Sequence, residues 1–207
     1  DYARVPRSLS LEPTQELTIE FWMHPEGSGG PFGRIVRIAG NDAPGYIIST
    51  QEFGQGRLQF RIHLGMFGSA VVNDSSPFVS YLNSWHHVAA VYSATGNTCK
   101  LYVDGQLKAS GNGVGTIQYP RSDLCLGNYI VADAEDYDGK LDEIRIWRIA
   151  RTQQQILSDM YRRLTGTEPD LAAVWHFDDG SGQSISDGSP NNNNGILGQD
   201  SSSRGDP

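Results

Sequence analysis

The sequence runs to 207 residues, 38% hydrophobic and 19% charged, which is the composition of an ordered globular chain with room for one large β domain, or a domain and an appendage. Its formal charge of −8, from 24 acidic against 16 basic residues, leaves no Lys/Arg stripe to neutralise phosphates, so no nucleic-acid partner is expected. No apolar run approaches the roughly 18 residues of a membrane span, so no membrane insertion is expected either.

The opening DYARVPRSLSL lacks the basic-then-apolar shape of a signal peptide and reads as a piece of a larger multidomain chain. Period-2 alternation then dominates. LTIEFWMHP (17–25) sets Leu17, Ile19, Phe21 and Met23 against Thr18, Glu20, Trp22 and His24. Strand candidates GRIVRIAG (33–40) and GYIIST (45–50) follow, then RLQFRIHL (57–64), with Leu58, Phe60, Ile62 and Leu64 on one face and Arg57, Gln59, Arg61 and His63 on the other. WHHVAAVYSA (85–94) and CKLYVDGQLKAS (99–110) are further strands. Asp104-Gly105 within the latter is a two-residue hairpin signal, because such a turn requires positive φ at both positions.

DLCLGNYI (123–130) and LDEIRIW (141–147) complete this set. If the last is regularly extended, Asp142 shares a face with Ile144 and Ile146, which is costly for a carboxylate unless it lies at the rim, is paired or binds a cation. One helix is predicted over 153–164, with Thr152 as N-cap and Gln155 at the capping-box position. Its apolar stripe is Ile156, Leu157, Met160, Tyr161 and Leu164, Gly166 stops it, and it should pack on the edge or rim of the sheets. A strand at 172–177, a Gly/Ser/Asn-rich loop, a short strand around 195–198 and a disordered tail over 199–207 follow; the Arg204-Gly205-Asp206 tripeptide there is read as chance. Many strands, regular turns and one helix make the expected fold class all-β, a two-sheet antiparallel β-sandwich.

Cys99 and Cys125 would close about 25 residues of chain as a disulfide, worth roughly 3–4 kcal/mol in the chain-entropy model; two reduced core thiols are the alternative. Neither sits in a zinc-like spacing. Asn73-Asp74-Ser75 is a glycosylation sequon.

The segments DYARVP…LTIEFWMHP, SWHHVAAVYSATGNTCKLYVDGQLKAS and DGKLDEIRIWRIARTQQQI resemble, in order and spacing, the successive motifs of the laminin-G-like, concanavalin A-like lectin/glucanase jelly-roll family over about residues 1–160. VWHFDDGSG…SDGSPNNNNG is similar to a segment that flanks such domains. It is expected to complete the same sandwich, giving a domain over 1–198; the alternative is the start of a following repeat. The resemblance implies two curved sheets and often a calcium ion. It leaves function open among carbohydrate binding, adhesion and spacing.

Asp142 is the first calcium candidate, with Asp178, Asp187 and the Asn191–Asn194 run as co-ligands; the alternative is that Asp142 caps a loop. A second candidate set is Asn41 and Asp42 with Asp133, Glu135, Asp136 and Asp138, which resembles, in altered form, the calcium loops of pentraxins. For carbohydrate, the polar face Arg57, Gln59, Arg61 and His63 and loop aromatics such as Tyr46 and Tyr137 are the candidates; Trp22, Trp85, Trp147 and Trp175 are assigned to packing. Catalysis is not expected. Glycosidases need two facing carboxylates, and Asp142 and Glu143, like His86 and His87, are strand neighbours pointing apart. The expectation is a non-catalytic extracellular recognition module for carbohydrate with a calcium site, or alternatively an adhesive or structural domain contacting a surface protein.

Overall fold

The computed structural model describes residues 2–27, 33–39, 45–50, 56–65, 68–128 and 136–198. Among the described residues, fourteen strands form two antiparallel sheets. The chain passes through β1 (Ala3–Val5), β2 (Glu16–Pro25), β3 (Arg34–Ala39), β4 (Gly45–Ser49), β5 (Gln59–His63), β6 (Ser69–Asn73) and β7 (His86–Ser93). It continues through β8 (Thr98–Val103), β9 (Gln106–Asn112), β10 (Leu124–Leu126), β11 (Gly139–Trp147), α1 (Gln153–Asp159), β12 (Leu171–Trp175), β13 (Ser184–Ile185) and β14 (Gly195–Leu197). The eight-stranded sheet has the order β13-β14-β1-β10-β3-β4-β5-β6 and the six-stranded sheet β12-β11-β2-β7-β8-β9.

The alternating strands face as their pattern dictates. Leu17, Ile19, Phe21 and Met23 of β2 meet Leu58, Phe60, Ile62 and Leu64 from the other sheet in one inter-sheet core. The hairpin between β8 and β9 turns at Asp104 (φ 51°) and Gly105 (φ 71°). A Cβ on Gly105 would lie 2.2 Å from the Leu157 side chain, so this glycine also lets the helix approach.

The helix departs from expectation in length and in place. Thr152 and Gln155 form the capping box, but α1 ends at Asp159, not at residue 164. Its terminal carbonyls are taken by the sheet beneath. Arg145 donates to the carbonyls of Asp159 and Arg162 at 2.9 and 2.7 Å, and the Trp22 indole donates to that of Met160 at 3.0 Å. The helix also lies on the outer face of the six-stranded sheet, where Ile156 packs on Ala89, Val91 and Tyr102. Those outward positions are apolar because the helix covers them.

β12 pairs with β11 at the edge of the six-stranded sheet, and β14 joins β1 of the eight-stranded sheet, with β13 beyond it. The C-terminal segment therefore contributes to both layers. The disulfide expectation is overturned: Cys99 and Cys125 are not joined in a disulfide. Cys99 points into the core from β8. Leu124 and Leu126 point inward from β10, so Cys125 between them faces outward on the opposite sheet. Burial pushes the Cys99 thiol up to about 12, which keeps it an inert thiol.

Candidate ligand-recognition face

The position of Asp142 depends on a β-bulge. Leu141 pairs with Met23 and Asp142 with Trp22, but the next pair is Arg145 with Glu20, so Glu143 and Ile144 together oppose Phe21. Glu143 takes φ 50° to make the extra step. The bulge inverts the face, so Asp142 stands with Trp22 on the outer surface while Leu141, Ile144 and Ile146 turn to the core. The expected core-face carboxylate is corrected accordingly. Asp142 Oδ1 accepts the Glu143 amide at 2.8 Å. Partial burial, helped by the charges of Glu143 and Asp178, holds its carboxyl above the ordinary value, against the pull of the Glu143 amide and of His176.

Half of this outer face is sealed. Under α1, Arg151 donates to Glu20 Oε1 at 2.6 Å and to the Gln155 carbonyl at 3.1 Å, pairs with Asp159, and lies 4.1 Å above the Trp147 ring. Thr18 Oγ1 donates to the Ile149 carbonyl at 2.7 Å and accepts the Arg151 amide at 2.9 Å. His87 Nε2 lies 3.4 Å from Glu20 Oε2.

The other half is open and aromatic. The Tyr161 ring, 79% exposed, lies 5.4 Å from Trp22. Two residues further along β2, His24 lies 5.4 Å from Trp85, which is 45% exposed. Trp22 is held in orientation by its bond to the helix end and by the edge of His87 at 5.4 Å. A depression of about 210 Å³ between Trp22, Tyr161, Glu143, Arg162 and Arg163 flanks the row. Arg163 also borders a second, polar depression of about 180 Å³ with His176, Asp178, Asp179 and Ser186. His176 Nδ1 is 2.6 Å from Glu143 Oε1, and Arg163 pairs with Asp178. At the far end Lys140 and His24 lie 2.8 and 3.6 Å from Glu26. Two exposed rings beside two half-buried ones, bordered by side chains of both charges, can stack on a flat ligand and bond its hydroxyls.

The described residues expected to bind calcium are engaged with the protein's own groups. Asp187 Oδ1 accepts the amides of Val174 and Ser189 at 3.0 and 2.8 Å, and its Oδ2 accepts the Ser189 hydroxyl at 2.8 Å and the Asn193 amide at 2.8 Å. It is a saturated loop anchor. Asp178 is committed to Arg163, and Asp138 is exposed, its carbonyl accepting the Glu26 amide at 3.0 Å. Among the described residues no three His, Cys, Asp or Glu side chains are grouped to hold a metal. Asp142, Asp178 and Asp187 form no such group, and Asn41, Asp42, Asp133 and Glu135 lie outside the described residues.

The expected sugar face is largely occupied by its own sheet. Gln59 is buried and donates to Asn73 Oδ1 at 2.7 Å, Arg57 donates to the carbonyls of Asp74 and Ser75, and His63 Nδ1 is 3.0 Å from Ser69 Oγ. Burial and the Arg61 charge lower the His63 pKa. Tyr46 is a core residue of β4, its ring 6.0 Å from Tyr119, and Tyr137 is also buried. Sequence reasoning thus passed over Trp22, Trp85 and Tyr161. The signal was present for Trp22 and His24, which alternate with core residues and so had to face outward.

Two antiparallel sheets packed face to face, with both layers completed by the C-terminal strands, define a β-sandwich of the jelly-roll class. A family model described as the concanavalin A-like lectin/glucanases superfamily matches residues 1–157, and the chain belongs to that superfamily. Human Pappalysin-1 is 40% identical over 173 residues, 76% of this chain and 10% of its own length. Mouse Pappalysin-1 is 36% identical over 77% of this chain and 10% of its own length, so the chain spans about a tenth of these curated relatives. Among solved structures, a putative carbohydrate binding protein from Bacteroides ovatus superposes with TM-score 0.76 at 21% identity, over 94% of this chain and 55% of that one. Domains LG4-5 of the mouse laminin alpha1 chain superpose with TM-score 0.56 at 22% identity, over 74% and 40%. At these identities the structures share the fold alone.

Proposed function

We propose that this chain is a non-catalytic recognition module of a larger extracellular protein and that it binds carbohydrate on the outer face of the six-stranded sheet. The observation that carries the reading is an aromatic row in which the exposed Tyr161 and Trp85 flank the half-buried Trp22 and His24, bordered by Lys140, Glu143 and Arg163. Stacked sugar rings would lie along β2, with the flanking side chains bonding their hydroxyls. A putative carbohydrate binding protein and laminin domains share this fold. Calcium enters the proposal only through Asn41, Asp42 and Asp138.

The test is a glycan array, with calcium and with chelator, followed by titration of the best glycan against wild type, Tyr161→Ala and Trp85→Ala. Both side chains are exposed, so their loss should leave the melting temperature unchanged. Each truncation should weaken binding about 5- to 150-fold, the range for loss of one stacked aromatic contact of roughly 1–3 kcal/mol. Glycan binding that survives both truncations removes the face from the proposal. A domain that contacts protein instead would retain no glycan on the array.

A further inference from the structure

A separate cavity of about 140 Å³ opens between the two sheets where β1, β10 and β14 face the start of β11. Its walls include Leu126, Leu141, Phe177 and Leu197, together with Tyr137 and Gly139. An apolar cavity of about 150 Å³ is large enough to take up benzene. Two features of the walls go unexplained by packing alone. Tyr137 is 8% exposed, yet its hydroxyl has no hydrogen-bond partner among the described residues. That hydroxyl lies 2.8 Å from where a Cβ on Gly139 would stand, and Tyr137 and Gly139 both line the cavity. Phe177 adopts φ 54°, a strained conformation for an aromatic residue, and its ring forms another wall. Burial, with the charges of Asp138 and Glu26, raises the Tyr137 phenol, which keeps it a proton donor at neutral pH.

We propose that this cavity binds a small neutral ligand of about the size of benzene that carries one carbonyl or ether oxygen. The apolar body packs against Leu126, Leu141, Phe177 and Leu197, and the oxygen accepts the hydrogen bond that Tyr137 otherwise leaves unmade. None of these walls belongs to the aromatic row, so the site is independent of it and its test does not depend on glycan binding.

Cyclohexanone serves as the acceptor-bearing probe and benzene as the apolar one, titrated into the full chain with the leucine methyl signals followed by NMR. Both should bind saturably, with shifts centred on Leu126, Leu141 and Leu197. Tyr137→Phe should weaken cyclohexanone about 5- to 10-fold, the worth of one hydrogen bond, and leave benzene within about twofold. That variant loses only an unpartnered oxygen, so its melting temperature should equal or exceed that of wild type. Leu197→Trp, at a half-exposed position, should fill the space and abolish both. Absence of saturable binding by either probe overturns the site. Equal effects of Tyr137→Phe on the two probes, or none on cyclohexanone, overturn the role of the hydroxyl.

Discussion

Asp142 shows how one residue's meaning can turn on its neighbour's backbone. Nothing in the letters of LDEIRIW marks Glu143 for a positive φ, and without that step the parity of Asp142 is read wrongly. The same parity rule succeeded for Trp22 and His24, where β2 is regular, but the eventual exposure of Trp22 depends on how far α1 reaches, which no local pattern encodes. Asp142 carries its charge beside Glu143 and Asp178, and its pKa is raised above the ordinary 3.8, chiefly by burial. The folded state therefore holds this proton more tightly than the unfolded chain does. Ionised Asp142 costs stability at neutral pH, and the cost disappears as pH falls through the raised value towards 3.8. Asp142→Asn keeps the acceptor for the Glu143 amide and removes the charge. Because the site is partly exposed, the expected gain is only about 1–2 °C in melting temperature at pH 7, shrinking as pH approaches 4. A mutant less stable at neutral pH, or a difference that ignores pH, would refute this account.

At the scale of elements, β2 and β5 were legible because each shows its own period of two, whereas β1, β6 and β13 were not read as strands, and the helix start was legible because Thr152 and Gln155 are local. The helix end was not, since it is set by Arg145 and Trp22, which approach only after β2 and β11 have paired. The C-terminal loop obeys the same rule. Its Asp and Asn residues resemble turn formers or metal ligands in sequence, and only the fold shows that Asp187 binds β12 to the loop through Val174, Ser189 and Asn193. Asp187→Asn tests that assignment. The amide replaces one acceptor oxygen by a donor that faces other donors, leaving buried N–H groups unmatched. The expected loss is about 2 kcal/mol or more in urea unfolding, with no dependence on calcium. An unchanged midpoint would show that the loop does not need this anchor, and a loss that calcium reverses would return Asp187 to the metal ligands.

For the whole molecule, the question is how much chain the sandwich requires. The family match ends at residue 157, yet both sheets include strands from the C-terminal side of that residue. β12 pairs along Ile144–Trp147 of β11 and carries Trp175, fully buried with its indole donating to the Asn193 carbonyl at 2.9 Å. β14 pairs with β1, the short strand that otherwise ends the eight-stranded sheet, and Ile185 of β13 enters the same core. A chain ending at Asp170 would leave β1 and β11 as open edges and uncover the apolar surface that Trp175 and Ile185 fill. Exposed edges and a large uncovered core surface favour association over folding. Such a chain should bind a hydrophobic dye, lose its cooperative thermal transition and aggregate at micromolar concentration, while residues 1–198 melt in one step. A cooperative transition from the shortened chain, within a few degrees of the longer one, would show that the C-terminal strands decorate the sandwich. Their position in both sheets argues that they close it, and with it the aromatic face, since β12 holds β11 and β11 carries the bulge that borders Trp22.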